Sequence, residues 1–471
     1  DSHLMRIPFI GPSYEARSVT QSTQKTVNWY PEMAPKDSKS SMSLLPMPGC
    51  KYINKLGVGP IRGTIEYGGY IYVVSGRDVY KLNEVETTTF VGSITSFSGS
   101  VSMATSGAQG MLVDTSGTGY VVTGTEVTTI TETDFAGAKD VVFIDGYFIV
   151  NKPGTGEFYI SGLFDALTWT ALGFGTTEID PDNLLAMFVH NENLYLFGDY
   201  TTQVFYNAGS AFFPFENRKG AFMEWGVEAR DSLAKVDNAI MWLAKTRQGT
   251  AQVVRTTGFQ PQIVSTRALE NTISEYAKLD DAFAYTMQWK GHTFYVLTFP
   301  VADATHVYDA ETNEWFEWKT YGMGRHLSNA HFFIANKHYV GDFRNGNFYE
   351  LDDATALDNG QPIERIRRSQ HASAENKNIF WKKLEIDFEP GRGTTSGQGV
   401  DPKAMLKWSD DGGFTWSSEV WRSIGKIGEY KNRAIWYGMG RSRDRVYELT
   451  ITDPVKAVII GAYAEIETGT S

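Results

Sequence analysis

The chain has 471 residues, of which 42% are hydrophobic and 21% charged, a balance typical of a folded protein. This length exceeds what one compact core usually holds, so it predicts several domains or a repeat architecture. The formal net charge of −12 argues against nonspecific attraction to nucleic acid or to an anionic membrane, because phosphate binding requires a basic surface. The single cysteine, Cys50, excludes an internal disulfide, and no apolar run is long enough to span a bilayer.

The N-terminal part of the chain has little regular patterning. Residues 1–4, ahead of Met5, look like a remnant of cloning and are set aside. Residues 5–56 contain six prolines and little alternation of polar and apolar residues, which predicts an extended N-terminal arm. Because Trp29 and Tyr30 need a surface to pack against, we expect the arm either to wrap another surface or to close the first unit of the repeats that follow.

The centre of the chain repeats one short hairpin. Its clearest copy lies at residues 62–82, where Gly68 and Gly69 can both take the positive φ of a tight hairpin turn. Measured from Gly69, further copies follow at steps of 41, 36, 47, 45, 53 and 45 residues. A strand-built period of roughly 40–50 residues is typical of a β-propeller with one blade per repeat. We therefore predict a propeller of six or seven blades over residues 57–353, and the number of copies favours seven.

One short helix is predicted inside the repeats. Leu269, Ile273 and Tyr276 are spaced four and three residues apart, as on one face of a helix. Ser265 or Thr266 stands where an N-cap is expected. The inserted helix accounts for the longest step between repeats.

The pattern changes after the repeats. Residues 354–378 are polar and predict a linker or an edge strand, and we interpret their basic cluster at 365–368 as a solvated strand face rather than a nucleic-acid patch. Residues 379–471 predict a small C-terminal β-sandwich, because short strand-like runs alternate with Gly- and Ser-rich turns. The predicted strands are 381–388, 404–408, 435–437, 446–451 and 457–466.

Residues 409–416 (SDDGGFTW) match the Asp-box pattern S-x-D-x-G-x-T-W. In such a hairpin the Asp411 carboxylate accepts N–H groups of the turn and Trp416 packs beneath it. Sialidases and other propellers carry several such boxes, which favours an enzyme. This chain has one box, outside the repeats, so we expect a turn-stabilising role.

Other candidate groups are weaker. Glu178, Asp180 and Asp182 are close in sequence, whereas glycosidases need two carboxylates opposed across a substrate. His331 and His338 differ by seven positions and would point to opposite faces of one continuous strand, which argues against a metal site with His326. We predict no catalytic, cofactor-binding or metal site, and no enzymatic activity.

A series of motifs in fixed order gives the chain a family resemblance. It resembles the packaged-DNA stabilisation proteins of short-tailed bacteriophages, also called tail hubs or tail accessory factors. The resemblance covers nearly the whole chain, and the order and spacing of the motifs carry it. The motifs include 28–32 (NWYPE), 45–49 (LPMPG), 181–185 (PDNLL), 196–198 (LFG), 201–207 (TTQVFYN), 213–215 (FPF), 261–266 (PQIVST) and 440–446 (GRSRDRV).

The resemblance implies a structural virion protein. Family members form a ring, typically a homohexamer, below the portal and its adaptor, and close the DNA exit channel together with a needle protein. Tailspikes dock on the ring. For this chain it implies a place in the virion tail after assembly in the bacterial host cytoplasm, with DNA only passing through the channel and no membrane insertion. A monomer in isolation is compatible with this implication, and an acidic chain would suit a channel wall that repels DNA.

The alternative is a carbohydrate-active propeller, either a glycan hydrolase or a lectin. It would be favoured by several Asp-boxes in register with the blades and by a cluster of arginines for a sugar carboxylate. The sequence shows neither feature. A general interaction scaffold of a cell is a third alternative, which the phage-like motifs disfavour.

Overall fold

The computed structural model describes residues 3–470 and confirms an all-β fold. Within that range one α-helix, Arg267–Ser274, interrupts the strands. The predicted cloning remnant lies partly outside the described residues, since only His3 and Leu4 belong to them. Both are in the first strand, His3–Ile7.

The repeats form blades whose strands are neighbours both in sequence and in the sheet. Blades 1 to 4 are four-stranded and antiparallel. Their strands are Ile61–Tyr67, Tyr70–Ser75, Asp78–Leu82 and Thr88–Ser93 in blade 1; Ser102–Thr105, Gly110–Val113, Gly119–Val122 and Val127–Thr129 in blade 2; Val141–Ile144, Tyr147–Asn151, Glu157–Gly162 and Asp165–Thr176 in blade 3; and Leu184–His190, Asn193–Gly198, Thr202–Asn207 and Phe215–Asn217 in blade 4.

Blades 5 and 6 are also built from consecutive strands, which makes six such blades. A short 3₁₀ helix, Arg230–Ser232, lies between the first two strands of blade 5. The strands are Gly226–Val227, Ala234–Val236, Ala239–Lys245, Gln252–Thr256 and Gln262–Ile263 in blade 5, and Phe283–Trp289, His292–Phe299, Ala304–Asp309 and Glu314–Glu317 in blade 6.

A seventh sheet, which we call blade 7, is completed by a strand from the N-terminal segment. Gly49–Lys55 pairs antiparallel with Asn347–Asp352, the last of three consecutive strands. The innermost strand, Ser328–Ile334, packs against the innermost strand of blade 1 and closes the ring. The prediction of six or seven blades is confirmed, with the N-terminal strand joining the last sheet rather than the first. The remaining strands of this sheet are Lys337–Asp342, Leu357–Asp358 and Gln361–Pro362.

The propeller core lies between adjacent blades. Where blade 7 meets blade 1, Ile71 and Val73 of one sheet pack with Phe332 and Phe348 of the other. Both faces of a blade are covered by its neighbours, so the second strand of blade 1 is apolar almost throughout instead of alternating. This explains why aliphatic and aromatic runs, rather than alternation, marked the repeats in the sequence.

The sequence signals for turns and for the helix are confirmed locally. Gly68 and Gly69 adopt φ of 60° and 78°, the left-handed region that the hairpin turn requires. Thr266 is the N-cap of the helix, and its hydroxyl accepts a hydrogen bond from the N–H of Leu269 at 3.2 Å. Leu269 and Ile273 are buried in the core shared by blades 5 and 6.

The C-terminal β-sandwich is confirmed, but its two sheets also take up N-terminal strands. All five predicted strands are present within a few residues of their predicted bounds. One sheet contains His3–Ile7, Trp29–Met33, Met42–Pro46, Ile379–Phe388, Ala434–Tyr437, Arg441–Ser442 and Ile459–Thr468. The other contains Tyr14–Glu15, Thr23–Val27, Arg365–Arg368, Ala372–Ser373, Lys403–Ser409, Val420–Ser423 and Asp444–Ile451.

One continuous sheet joins the two domains. Thr23–Val27 pairs antiparallel with Arg365–Arg368 of the sandwich, and Val27 also bridges in parallel to Glu317 at the edge of blade 6. The segment predicted as an extended arm therefore contributes strands to both domains of its own chain.

Candidate functional site

The Asp-box has the geometry of a self-contained turn. The Asp411 carboxylate accepts hydrogen bonds from the N–H groups of Phe414 and Thr415 at 3.0 and 2.9 Å, and from the hydroxyls of Thr415 and Ser409. The hydroxyl of Thr415 and the other donors hold the pKa of Asp411 well below its usual range. Trp416 lies beneath, with the Arg368 guanidinium 5.0 Å from its ring. Because these oxygens are engaged within the turn, the geometry supports the predicted structural role.

The acidic residues near position 180 form hydrogen bonds and an ion pair with residues of blades 4 and 5. The Asp182 Oδ2 accepts hydrogen bonds from the N–H groups of Tyr200 and Thr201, both at 2.8 Å. Asp180 forms an ion pair at 2.7 Å with Arg247, which follows the central strand of blade 5. These carboxylates are occupied by protein donors rather than facing each other across a cleft.

The histidine prediction was wrong in its geometry. His331 and His338 lie on two adjacent strands of a hairpin rather than on one continuous strand. Their imidazoles meet, with His331 Nε2 3.0 Å from His338 Nδ1. Tyr285 stacks on His331, and burial lowers the pKa of His331 to about 3. The pair is neutral near pH 7 and is part of the packing between blades 6 and 7.

His326 lies apart from that pair, in a second buried cluster that the sequence did not indicate. Its Nε2 is 3.7 Å from the Sγ of Cys50, and the Asp358 carboxylate accepts a hydrogen bond from the backbone N–H of Cys50 at 3.2 Å. The three residues are 276 and 308 positions apart along the chain, so no local spacing could reveal them. Among the described residues this is the group whose donor atoms lie close enough together to hold a metal ion.

The interpretation of the basic cluster as a solvated face was also wrong. Arg365 and Arg367 are almost completely buried, whereas Ile366 between them is partly exposed. The strand is central in its sheet, because it pairs with Thr23–Val27 along one edge and with Asp444–Ile451 along the other. Arg365 and Arg367 are two positions apart and share one face of the sheet, and this face is buried in the protein. Burial lowers the pKa of Arg367 to about 9, which still leaves it charged near pH 7.

Arg367 binds the N-terminal segment rather than an external ligand. Its guanidinium donates to the carbonyls of Phe9 and Pro12 at 2.6 and 2.8 Å. It also donates to the side chains of Thr26 and Gln24, both at 2.9 Å. One buried cation therefore fixes the path of the chain from residue 9 to residue 26.

Two adjacent aromatic residues of this segment face different domains. Trp29 lies in the sandwich core, and its Nε1 donates to the carbonyl of Ala457 at 2.9 Å. Tyr30 packs edge-on against His292 and Phe294 of blade 6, with ring centroids 5.0 and 5.3 Å apart. Both aromatic side chains that the sequence left without a surface are thus buried within the chain.

The first strands of blades 2 to 4 and the 3₁₀ helix of blade 5 line a cavity of about 410 Å³. Its arginine is paired with an aspartate of the same turn. Arg230 forms an ion pair with Asp231 at 3.0 Å and donates to the hydroxyl of Ser100 at 2.7 Å. Burial raises the pKa of Asp140, although the nearby Arg230 and the hydroxyl of Ser102 oppose this.

Blades 3 and 4 expose several large apolar side chains, which we call the blade 3–4 apolar surface. Phe212 is 98% exposed, in the loop before the last strand of blade 4, and Leu172 is 85% exposed on the last strand of blade 3. Leu163, Phe164 and Phe174 of blade 3 are exposed as well. Exposed apolar area of this kind on two adjacent blades is a candidate for contact with another protein. Local patterning did not indicate this surface, although the neighbouring pair Phe212 and Phe213 was a possible signal.

No helix among residues 3–470 is both long and apolar enough to cross a membrane. None of the curated protein sequences matches the chain. Among solved structures, the chain is similar to the WD40 beta propeller domain of Doa1, with 10% identity, a TM-score of 0.40, and coverage of 64% of this chain and 97% of that one. BamB from Moraxella catarrhalis gives 12% identity, a TM-score of 0.40, and coverage of 70% of this chain and 98% of that one.

Two family profiles together match almost all of the chain. The profile described as "Bacteriophage P22 Gp10, beta-propeller" matches residues 5–356. The profile described as "Bacteriophage P22 Gp10, beta-sandwich" matches residues 364–467. The two matched ranges correspond to the propeller and to the sandwich seen in the structure, and their order along the chain is the same. The chain therefore belongs to the family of bacteriophage P22 Gp10, the phage structural proteins that stabilise packaged DNA.

Proposed function

We propose that this chain is a tail hub, which joins the portal and adaptor channel to the tail needle and the tailspikes and keeps packaged DNA inside the capsid. The match of both domains to one phage family, over residues 5–356 and 364–467, carries the proposal. In this role the chain is not an enzyme. It forms a homo-oligomeric ring in the virion tail, typically a hexamer, after assembly in the host cytoplasm.

The blade 3–4 apolar surface supports a role in contacts with other virion proteins. Phe212 and Leu172 present apolar area that no residue between 3 and 470 covers, and burying it against a partner would be favourable at about 25 cal/mol per Å². The net charge of −12 would keep DNA from adhering as it passes. The carbohydrate-active alternative is less well supported, because the Asp411 oxygens are engaged by the turn itself.

The test is to add the purified chain to DNA-filled particles that lack a tail and to measure DNA retention and particle mass. We expect the chain to join the portal-adaptor complex as a ring and to prevent loss of DNA. Phe212→Asp and Leu172→Asp should weaken this binding. Val85→Asp is the matched control, since Val85 is 76% exposed on blade 1, away from this surface.

Failure of the unmodified, folded chain to join such particles would overturn the proposed role. Equal binding by all three variants would keep the role but exclude the blade 3–4 apolar surface from the contact. Turnover of a glycan by the purified protein, abolished by Asp411→Ala, would instead support the carbohydrate-active alternative.

A further inference from the structure

The buried cluster of Cys50, His326 and Asp358 lies where the propeller ring closes. Cys50 is on the N-terminal strand that completes blade 7, and His326 is in the loop that enters blade 7. Asp358 lies on a short strand of the same sheet and pairs directly with Cys50. The side chains are buried, with residue exposures of 1%, 0% and 3%. The cluster thus links the two ends of the ring and is independent of the proposed tail role.

The spacing of the donor atoms suits one small metal ion. One donor atom from each of the three residues lies within 4.8 Å of the other two. In a tetrahedral zinc site, ligand distances of about 2.3 Å to sulfur and 2.0 Å to nitrogen place those two atoms roughly 3.5 Å apart. The observed distance between Cys50 Sγ and His326 Nε2 is 3.7 Å. A thiolate, an imidazole and a carboxylate together form a donor set that zinc prefers over calcium or magnesium.

The second nitrogen of His326 is held as in many metal-bound histidines. Its Nδ1 lies 2.8 Å from the hydroxyl oxygen of Ser328, and the ring stacks on Trp318 with centroids 3.6 Å apart. When Nδ1 carries the hydrogen and donates to Ser328, the lone pair of Nε2 faces Cys50. The N–H of Ser328, 3.2 Å from Nδ1, favours the opposite tautomer. In that tautomer Nε2–H donates to the Cys50 sulfur. We assign this second tautomer to the cluster without a metal ion and the first to the cluster with one.

The charge of the cluster also bears on which ion it can hold. Arg365 is the buried cation that acts on Asp358, yet its Nε and Nη1 have no hydrogen-bond partner among the described residues. A divalent ion would balance one thiolate and one carboxylate, and the Cys50 proton, with any proton on Asp358, would leave to solvent.

We propose that Cys50, His326 and Asp358 bind one zinc ion that fastens the N-terminal strand to the last blade and so locks the propeller ring. The three side chains fill three tetrahedral positions, and a water molecule fills the fourth. Because the ligands come together only in the closed ring, zinc binds the folded chain and stabilises it.

The test uses the full chain, prepared with and without added zinc and also refolded from urea with zinc, so that slow entry into a buried site cannot hide binding. We expect about one zinc per chain and a higher melting temperature than after refolding with a chelator. Cobalt in place of zinc should give the visible bands of tetrahedral cobalt and a thiolate charge-transfer band. Cys50 is the only cysteine, so that band can come from no other residue.

Variants assign the ligands. Cys50→Ser should abolish the thiolate band, and Asp358→Asn should lower zinc content well below one per chain. His338→Gln is the matched control, because it alters a histidine of the same blade outside the cluster and should leave zinc content unchanged. The absence of zinc and of the cobalt bands from the refolded, unmodified chain would overturn the proposal. A thiolate band that persists in Cys50→Ser, or zinc content unchanged by Asp358→Asn, would overturn the assigned ligands.

Discussion

Replacing Trp29 with alanine tests whether the N-terminal segment is an integral part of the sandwich. The side chain is fully buried in the sandwich core, and its Nε1 donates to the carbonyl of Ala457. Truncating a buried tryptophan costs about 3–5 kcal/mol, and leaving a buried carbonyl without a donor costs about 1–3 kcal/mol. We therefore expect Trp29→Ala to lower the free energy of unfolding by about 4–6 kcal/mol, since part of the two costs overlaps.

The assay is urea denaturation followed by circular dichroism, with Trp421→Ala as the matched control. Trp421 also belongs to the sandwich but is 56% exposed, so its removal should change stability by about 0.5 kcal/mol or less. Trp29→Phe should keep most of the buried area and lose mainly the hydrogen bond, which predicts an intermediate midpoint. A midpoint for Trp29→Ala equal to that of Trp421→Ala would refute the reasoning, because the segment would then not be docked in solution.

Three further predictions follow from the same contacts. Arg367→Met should lower the free energy of unfolding by about 3–5 kcal/mol, because the buried carbonyls of Phe9 and Pro12 lose their donor. Arg433→Met, at an exposed arginine, is the control. Equal urea midpoints for the two variants would contradict the prediction. Asp411→Ala should speed hydrogen exchange of the turn amides of Phe414 and Thr415. In the unmodified chain the protection of these amides should persist to a lower pH than an ordinary aspartate allows, because the pKa of Asp411 is depressed. Burial opposes charging of His292, but the hydrogen bond and the charge of Asp309 outweigh burial and raise the pKa of His292. The stabilisation that charged His292 contributes is therefore complete below about pH 6.5 and is lost as the pH rises through the pKa of His292 in the folded protein. His292→Gln should remove this part of the pH dependence of the melting temperature.

The features that the sequence predicted well depend on residues close together in the chain. The turn at Gly68 and Gly69 needs only its own backbone, and the cap at Thr266 needs only the next three residues. The five C-terminal strands likewise carried their own apolar runs. Order and spacing of the motifs then sufficed to indicate the phage family, which the family profiles confirm.

The features that the sequence missed depend on pairing between distant segments. Arg365 and Arg367 were interpreted as a solvated face because nothing local shows that this strand lies in the middle of a sheet, or that the segment from residue 9 to residue 26 surrounds Arg367. His331 and His338 were judged by the parity of one strand, but the turn between them places them on two. Cys50 and Asp358 meet only because the ring closes, so neither residue carries a local signal.

Integration of the N-terminal segment also bears on how such a chain could assemble. A segment whose aromatic residues were free would be the natural contact with a neighbouring subunit or an adaptor, and deleting it would test that contact. Here Trp29 and Tyr30 are already buried against the two domains of their own chain. Deleting residues 5–35 would therefore remove strands from both sandwich sheets and would unfold the sandwich before it revealed anything about assembly. Contacts with other virion proteins are better sought on surfaces that remain exposed in the folded chain, such as the one that carries Phe212 and Leu172.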